Sequence, residues 1–167
     1  MISEIEKRRS IRKYKSDSVS DEVIKDILTA AMMAPSAMNS RPWHFVVVRN
    51  REVLDKMSTL TPFVKMLKEA PCAVVVCRRS DLPSRLKGVE FWPQDSAAAI
   101  ENMLLEATSL GLGSCWCGFY PVAEASKALA NLLETEDTPM SVVALGYPNE
   151  EGVKRGFYEE AKVRFID

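Results

Sequence analysis

Apolar and polar positions along the chain fall into stretches of two different periods. Between residues 21 and 33, Val23, Ile27, Ala30, Ala31 and the following Ala34 recur at helical spacing, Ser20 stands where a capping serine belongs, Asp21 and Glu22 suit the positive helix end, and Pro35 stops the helix. A shorter helix is predicted over residues 2–9. Trp43-His-Phe-Val-Val-Val48 and Ala73-Val-Val-Val-Cys77 are β-branched and aromatic, as strands are, and their continuous apolar character predicts burial on both faces. Helical patterns at 51–60 and 63–69 separate the two runs. The longest helical pattern spans 95–110, where Ile100, Met103, Leu104, Ala107 and Leu110 form one stripe and Ala97, Ala98 and Leu105 add apolar surface elsewhere, so this helix needs cover nearly all round. Gly111 and Gly113 end it; a strand at 114–117, a helix at 122–133 and a strand at 140–147 follow. With no repeat, low-complexity tract or Gly/Ser linker, residues 1–167 read as one helix-rich α+β or α/β domain.

Composition narrows the function classes. Lys and Arg total 22 against 23 Asp and Glu, a net charge of -1, which disfavours nucleic-acid binding through bulk positive charge. The longest uncharged apolar runs, 72–77 and 141–147, fall far short of the roughly 20 residues that cross a bilayer, so no membrane role is expected. The opening MISEIEKRRS lacks the pattern of a secretory signal, and a cytoplasmic location is the expectation. Cys72, Cys77, Cys115 and Cys117 lie in apolar segments, which predicts reduced, inert thiols with raised pKa. Cys115-x-Cys117 lacks the spacer of common zinc knuckles and His44 is the only histidine, so no zinc site is expected. His44, inside an apolar run, is predicted to be packed and hydrogen-bonded to backbone rather than to act as a base.

Four segments could carry chemistry. Lys7-Arg8-Arg9-Ser10-Ile11-Arg12-Lys13-Tyr14-Lys15 places six cations in nine residues, either around a bound phosphate or as a solvated or nucleic-acid-binding face. Residues 34–43, rich in Pro, Ser and Asn, form a loop that could grip the edge of a planar heterocycle or simply order Trp43. Gly111-Leu-Gly-Ser-Cys-Trp-Cys-Gly118 lets backbone approach a ligand at a strand's carboxyl end, or bounds a buried strand. Lys162 and Arg164 alternate with Ala161, Val163 and Phe165 and would share one face of an extended segment. The polar tail from Pro148 regains apolar residues at Phe157, Tyr158 and 163–166, and with the long helix it points to a dimer whose partner covers both. Walker A, G-x-G-x-x-G and G-x-S-x-G patterns are absent, which weighs against kinases and hydrolases.

Taken in order, Arg8-Arg-Ser-Ile-Arg12, Pro35-Ser-Ala-Met-Asn-Ser-Arg-Pro-Trp-His-Phe45, Gly111-Leu-Gly-Ser-Cys-Trp116, Ala144-Leu-Gly-Tyr-Pro148 and Lys162-Val-Arg164 resemble the FMN-dependent nitroreductase family over nearly the whole chain. The resemblance implies an α+β fold with a mostly antiparallel central sheet flanked by helices, an interlocked homodimer, and FMN at the subunit interface. It assigns Arg8, Ser10, Lys162 and Arg164 to the FMN phosphate, Arg9 to the phosphate or ribityl chain, and Arg12 to the pyrimidine edge of the flavin. Pro35, Ser36 and Asn39 would reach the flavin from the partner subunit, and Trp116, Cys117 and Gly118 would lie beside the ring with the Gly118 N–H near N5. The chemistry would sit on the flavin, with no catalytic side chain and no metal: hydride from NADH or NADPH passes through N5 to a nitroaromatic, quinone or similar small electrophile by a ping-pong mechanism. The alternative is a flavin-binding or flavin-processing protein without NAD(P)H reductase activity, or one fed by a protein donor such as ferredoxin. Lys65 is a further cation to which the resemblance gives no fixed role, and residues 78–93 would set acceptor choice, with Phe91 and Trp92 as an apolar lid or as anchors of the long helix. Arg41 departs from the Gln usual at that position, and the short segment before the long helix suggests an open pocket.

Overall fold

The structure, a computed structural model, describes residues 1–82 and 91–166. All four predicted strands form: β1 (Trp43–Val48), β2 (Cys72–Arg78), β3 (Gly113–Gly118) and β4 (Thr138–Gly146) make one antiparallel sheet in the order β1-β2-β4-β3. The two central strands show why their sequences are apolar throughout. Cys72, Val74 and Val76 of β2 with Val143 and Leu145 of β4 enter one core, while Ala73, Val75 and Cys77 with Val142 and Ala144 enter a second on the opposite face. Helices α2 (Asp21–Met32) and α4 (Trp92–Ser109) cover the first face through Ile24, Ile27, Ala31, Ile100, Met103 and Leu104. Helix α3 (Arg51–Met57), the 3-10 segment Pro62–Lys68 and helix α5 (Ala123–Leu132) cover the second through Leu54, Met57, Val64, Leu67 and Leu129. The result is a helix–sheet–helix sandwich of the α+β class.

Local signals explain the helix limits. Ser20 Oγ accepts from the Val23 N–H at 3.3 Å and Asn50 Oδ1 from the Val53 N–H at 3.1 Å, each satisfying a donor that the first helical turn leaves open. Helix α4 is covered as its composition requires: within it only Gln94 and Ser109 are exposed. Asn102 Nδ2 donates to the Ala30 carbonyl at 3.0 Å and ties α4 to α2. No helix among the described residues is long and apolar enough to cross a membrane.

Three readings need correction. Strand β1 is not buried on both faces: Trp43 and Val48 are buried, but His44 and Val47 are exposed, because among the described residues β1 has β2 as its only strand neighbour. His44 accordingly does not bond to backbone; its Nδ1 lies 2.7 Å from Asp137 Oδ2 at the surface. The tail is not strand-like around Lys162, since Glu160–Lys162 forms a single 3-10 turn, and between 151 and 166 every residue except Glu159 is exposed. Apolar Val153, Phe157, Tyr158, Phe165 and Ile166 thus have no cover within one chain.

The basic N-terminal segment, which follows α1 (Ser3–Lys7), is stitched to the free edge of the sheet. The Ile11 N–H donates to the Ser114 carbonyl at 2.9 Å, the Lys15 N–H to Tyr147 at 2.9 Å, and the Asn149 N–H to Lys13 at 2.9 Å. This approach requires Gly113, where a Cβ would stand 2.8 Å from Ile11 Cβ.

Candidate functional site

Because that segment runs beside β3, cavities open along it, and two of them meet at Arg12. The smaller, of about 340 Å³, is lined by Arg8, Arg9, Ser10 and Arg12 and, across from them, by Glu150, Glu151, Gly152, Val153 and Arg155. Four guanidinium groups against two carboxylates make its lining net positive, which suits an anion. Glu150 is already engaged: its Oε1 accepts from the Lys13 N–H at 3.0 Å and from the Arg12 N–H, so its charge is spent on holding the segment. Gly152 is needed beside Arg9, whose Cβ would lie 2.2 Å from an added methyl. The Arg9 guanidinium itself turns back and donates to the Glu6 and Arg8 carbonyls at 2.6 Å each, satisfying carbonyls at the end of α1. Arg8 is split between the cavity and an ion pair with Glu101 of α4 at 3.5 Å.

The larger cavity, of about 640 Å³, shares Arg12 and Glu150 with the smaller one. Its walls are the β3 residues Cys115, Trp116, Cys117 and Gly118 and, facing them, Pro62, Phe63, Lys65 and Met66, with Lys13 and Glu69 also at its edge. That volume lies within the roughly 300–1,000 Å³ typical of small-molecule and cofactor pockets. Phe63, largely exposed, offers flat apolar surface, and at Gly118 no side chain stands between a ligand and the main chain, the nearest atom to an added Cβ being 4.0 Å away. Arg12 and Lys65 put positive charge on the same cavity. One end therefore takes an anion, the other a flat apolar group, and Arg12 stands where they meet.

Sequence reasoning found Arg8, Arg9, Ser10, Arg12, Trp116, Cys117 and Gly118, and the structure brings all seven to these two cavities. Lys65 joins them without an assigned role, while Phe63, Met66 and Glu150 carried no signal: their sequence context is that of an ordinary amphipathic turn and a polar loop. Pro35, Ser36 and Asn39 line neither cavity of this chain. They occupy the loop between α2 and β1, where Met38, Asn39 and Arg41 have φ of 52, 49 and 45°. Lys162 and Arg164 also lie outside both cavities, and the Lys162 ammonium pairs with Glu159 at 2.6 Å. Trp92 is no lid: it is buried at the start of α4, edge-on to Tyr120 at 4.6 Å, with the Arg78 guanidinium 5.9 Å from its ring centre. Phe91 is exposed, and residues 83–90 of the segment expected to govern acceptor choice lie outside the described residues.

The thiols divide into two kinds. Burial pushes Cys72 up to about 11 and Cys77 up to about 12, as apolar surroundings predict. Cys115 departs from that expectation. The neighbouring Cys117 thiol, 4.0 Å away, and the Arg12 guanidinium favour its thiolate more than burial opposes it, so its pKa falls while that of Cys117 rises. Asp137, which burial alone would raise, is held below the usual carboxylate range by the Ser80 N–H and His44. Among the described residues no group of three His, Cys, Asp or Glu side chains is arranged to hold a metal.

Comparison with known proteins places this chain in a family. The family model described as Nitroreductase family matches residues 5–62 and 59–147. A protein of Archaeoglobus fulgidus, provisionally named as an NADH dehydrogenase/NAD(P)H nitroreductase, is 50% identical over 154 residues, covering 91% of this chain and 86% of its own. The crystal structure of a Parabacteroides distasonis protein with the same provisional name has a TM-score of 0.91 at 34% identity and covers 99% of this chain and 97% of its own. A provisionally named nitroreductase of Desulfovibrio desulfuricans, solved in complex with FMN, has a TM-score of 0.83 at 27% identity over 99% of this chain and 95% of its own. The chain belongs to the nitroreductase family.

Proposed function

We propose that the protein is an FMN-dependent oxidoreductase that takes electrons from NADH or NADPH and passes them to a nitroaromatic, quinone or similar electrophile in a ping-pong cycle. The observation that carries this reading is the pair of cavities joined at Arg12, one basic and one apolar, matching a phosphate at one end and an isoalloxazine ring at the other. The residues present fit FMN: Arg8, Ser10 and Arg12 supply charge and hydroxyl for a phosphate, and Trp116, Phe63 and Met66 supply apolar walls for a ring.

When bound, FMN supplies the two-electron chemistry, and the protein supplies position and field. Arg12 and Lys65 stabilise negative charge that develops on a ligand in the larger cavity, most strongly where the walls exclude water. Gly118 presents main chain to the ligand. Donor and acceptor use the same open cavity in turn, which is what a ping-pong order requires.

The functional unit in this reading is a homodimer. A second copy would supply Pro35, Ser36 and Asn39 from its α2–β1 loop, and would cover the exposed apolar residues of the tail that carries Lys162 and Arg164. The test is an absorption spectrum of the purified protein before and after anaerobic addition of NADH or NADPH. A bound-flavin spectrum bleached by either donor is the expected outcome. A flavin spectrum that neither donor bleaches would overturn the NAD(P)H assignment, and failure to bind added FMN would overturn the whole reading.

A further inference from the structure

Three sulfur atoms meet on the wall of the larger cavity. Cys117 Sγ lies 4.0 Å from Cys115 Sγ and 4.0 Å from Met66 Sδ, and all three residues line the same open space. They come from two elements, β3 and the 3-10 segment Pro62–Lys68, so their meeting is a product of the fold. Alternate positions 115 and 117 point to one face of an extended strand, and that face is the one packed under the 3-10 segment. The flavin reading uses Met66 as an apolar wall and sets Cys117 beside the ring, but it gives none of the three sulfurs a donor role, and the inference below does not depend on it.

We propose that Cys115, Cys117 and Met66 form a binding site for a soft monovalent metal ion of the Cu(I) class. Three lines of argument carry this. A metal ion held in a plane by three sulfurs at about 2.3 Å spaces them about 4.0 Å apart, and a tetrahedral ion about 3.8 Å. The two separations from Cys117 Sγ are 4.0 Å each, close to both values. The donor set of two thiols and a thioether is soft throughout, which selects Cu(I) over hard or borderline divalent ions. No group of three His, Cys, Asp or Glu residues among the described ones could complete a zinc-type shell.

Charge points to the same class. Binding replaces two thiol protons by one metal ion, M⁺ + 2 RSH giving M(SR)₂⁻ + 2 H⁺, with the thioether neutral and no change in oxidation state. The resulting single negative charge sits in a cavity lined by Arg12, Lys13 and Lys65 against Glu69 and Glu150, a lining that stays net positive and offsets it. A divalent ion would leave a neutral centre and gain nothing from those cations. Cys117 would give up the hydrogen bond that its thiol makes to the Phe63 carbonyl at 3.2 Å, a small loss against two metal–thiolate bonds.

The test is anaerobic titration of the reduced protein with Cu(I) against a chromophoric Cu(I) chelator, together with native mass spectrometry, on flavin-free and FMN-loaded samples. One copper per chain is expected in the flavin-free sample. Cys115→Ser and Cys117→Ser should each weaken it by more than about 100-fold and Met66→Leu by about tenfold, whereas Cys72→Ser, remote on β2, should not change it. Melting curves and far-UV circular dichroism establish that each variant is folded, and the conservative Met66→Leu change keeps the test valid if a cysteine variant is not. Copper bound equally by the Cys115→Ser/Cys117→Ser double variant, no stoichiometric copper, or equal preference for Zn(II) would each overturn the proposal. Unchanged binding in Met66→Leu would overturn the third ligand. A protein that binds copper but not FMN would leave this inference standing and remove the flavin reading.

Discussion

Arg12 is the residue on which the two ends of the site depend. It lines both cavities, and its own N–H is fixed by Glu150, so its side chain starts from an anchored backbone. Arg12→Gln keeps much of the length and loses the charge; FMN affinity should fall by about tenfold or more, with a shallower salt dependence, measured by fluorescence titration at two ionic strengths. Unchanged affinity would remove Arg12 from the site. Gly113 tests the same segment from the other side. A methyl there would meet three carbons of the Ile11 side chain at 2.8–2.9 Å, and Ile11 is buried, so Gly113→Ala should push the basic segment off β3. The expected cost is about 1–3 kcal/mol in denaturant unfolding, together with weaker FMN binding. At this scale the sequence was informative about charge and silent about its use. The run of cations left a phosphate site and a solvated face equally open, and that the Arg9 guanidinium would turn to the carbonyls at the end of α1 depends on the angle between helix and strand edge, which no local pattern encodes.

The loop between α2 and β1 is held in an unfavourable conformation by a neighbouring helix. Met38, Asn39 and Arg41 all occupy the left-handed region, costing up to about 1–2 kcal/mol each, with Asn the most tolerant. Buried Asp95, in the first turn of α4, offsets this by accepting from the Ala37 N–H at 3.0 Å and from Ser40 Oγ at 3.4 Å, and Ser36 Oγ accepts from the Arg41 N–H at 3.0 Å. Asp95→Ala leaves the Ala37 donor open and should destabilise the fold by about 1–3 kcal/mol, while Asp95→Asn, which keeps an acceptor oxygen, should cost less. Thermal melts of the two variants decide it; equal losses would mean that the carboxylate acts through packing or charge alone. A fourth left-handed residue, Glu134, ends α5 at φ 52°, in the position where helices favour glycine. Glu134→Gly should therefore stabilise the protein by about 0.5–1 kcal/mol in the same assay. Element boundaries were legible because capping residues and glycines mark them. The edge position of β1 was not, since Trp43-His-Phe-Val-Val-Val48 is as apolar as a central strand, and only the pairing order β1-β2-β4-β3 shows which strands have two neighbours. His44 was misread for the same reason: an edge strand lets it turn outward to Asp137.

For the whole molecule, packing on both faces of the sheet fixes how stability depends on pH. Cys72 and Cys77 stand five residues apart in β2, an odd spacing that turns them to opposite cores, and burial raises their pKa from an ordinary 9.0 to about 11 and about 12. Tyr14, which the N-terminal segment buries in the second core, is raised too, again chiefly by burial. A raised thiol pKa means that above pH 9 the folded state keeps protons that the unfolded state has lost. Each thiol's contribution is thus whole below pH 9 and drains away as pH climbs toward its folded pKa, by about 1.4 kcal/mol per pH unit. Cys115 has the opposite sign: its lowered pKa gives stability that is complete above its unfolded value and is lost only as pH falls below it, so it adds no slope on the alkaline side. Urea unfolding at intervals from pH 8 to pH 11 should show no decline up to about pH 9 and a steady decline beyond it, and Cys77→Ala, although less stable at neutral pH, should decline more gently. A parallel decline in parent and variant would show that Cys77 ionises as freely in the folded protein as in the unfolded chain, and that the second core admits water.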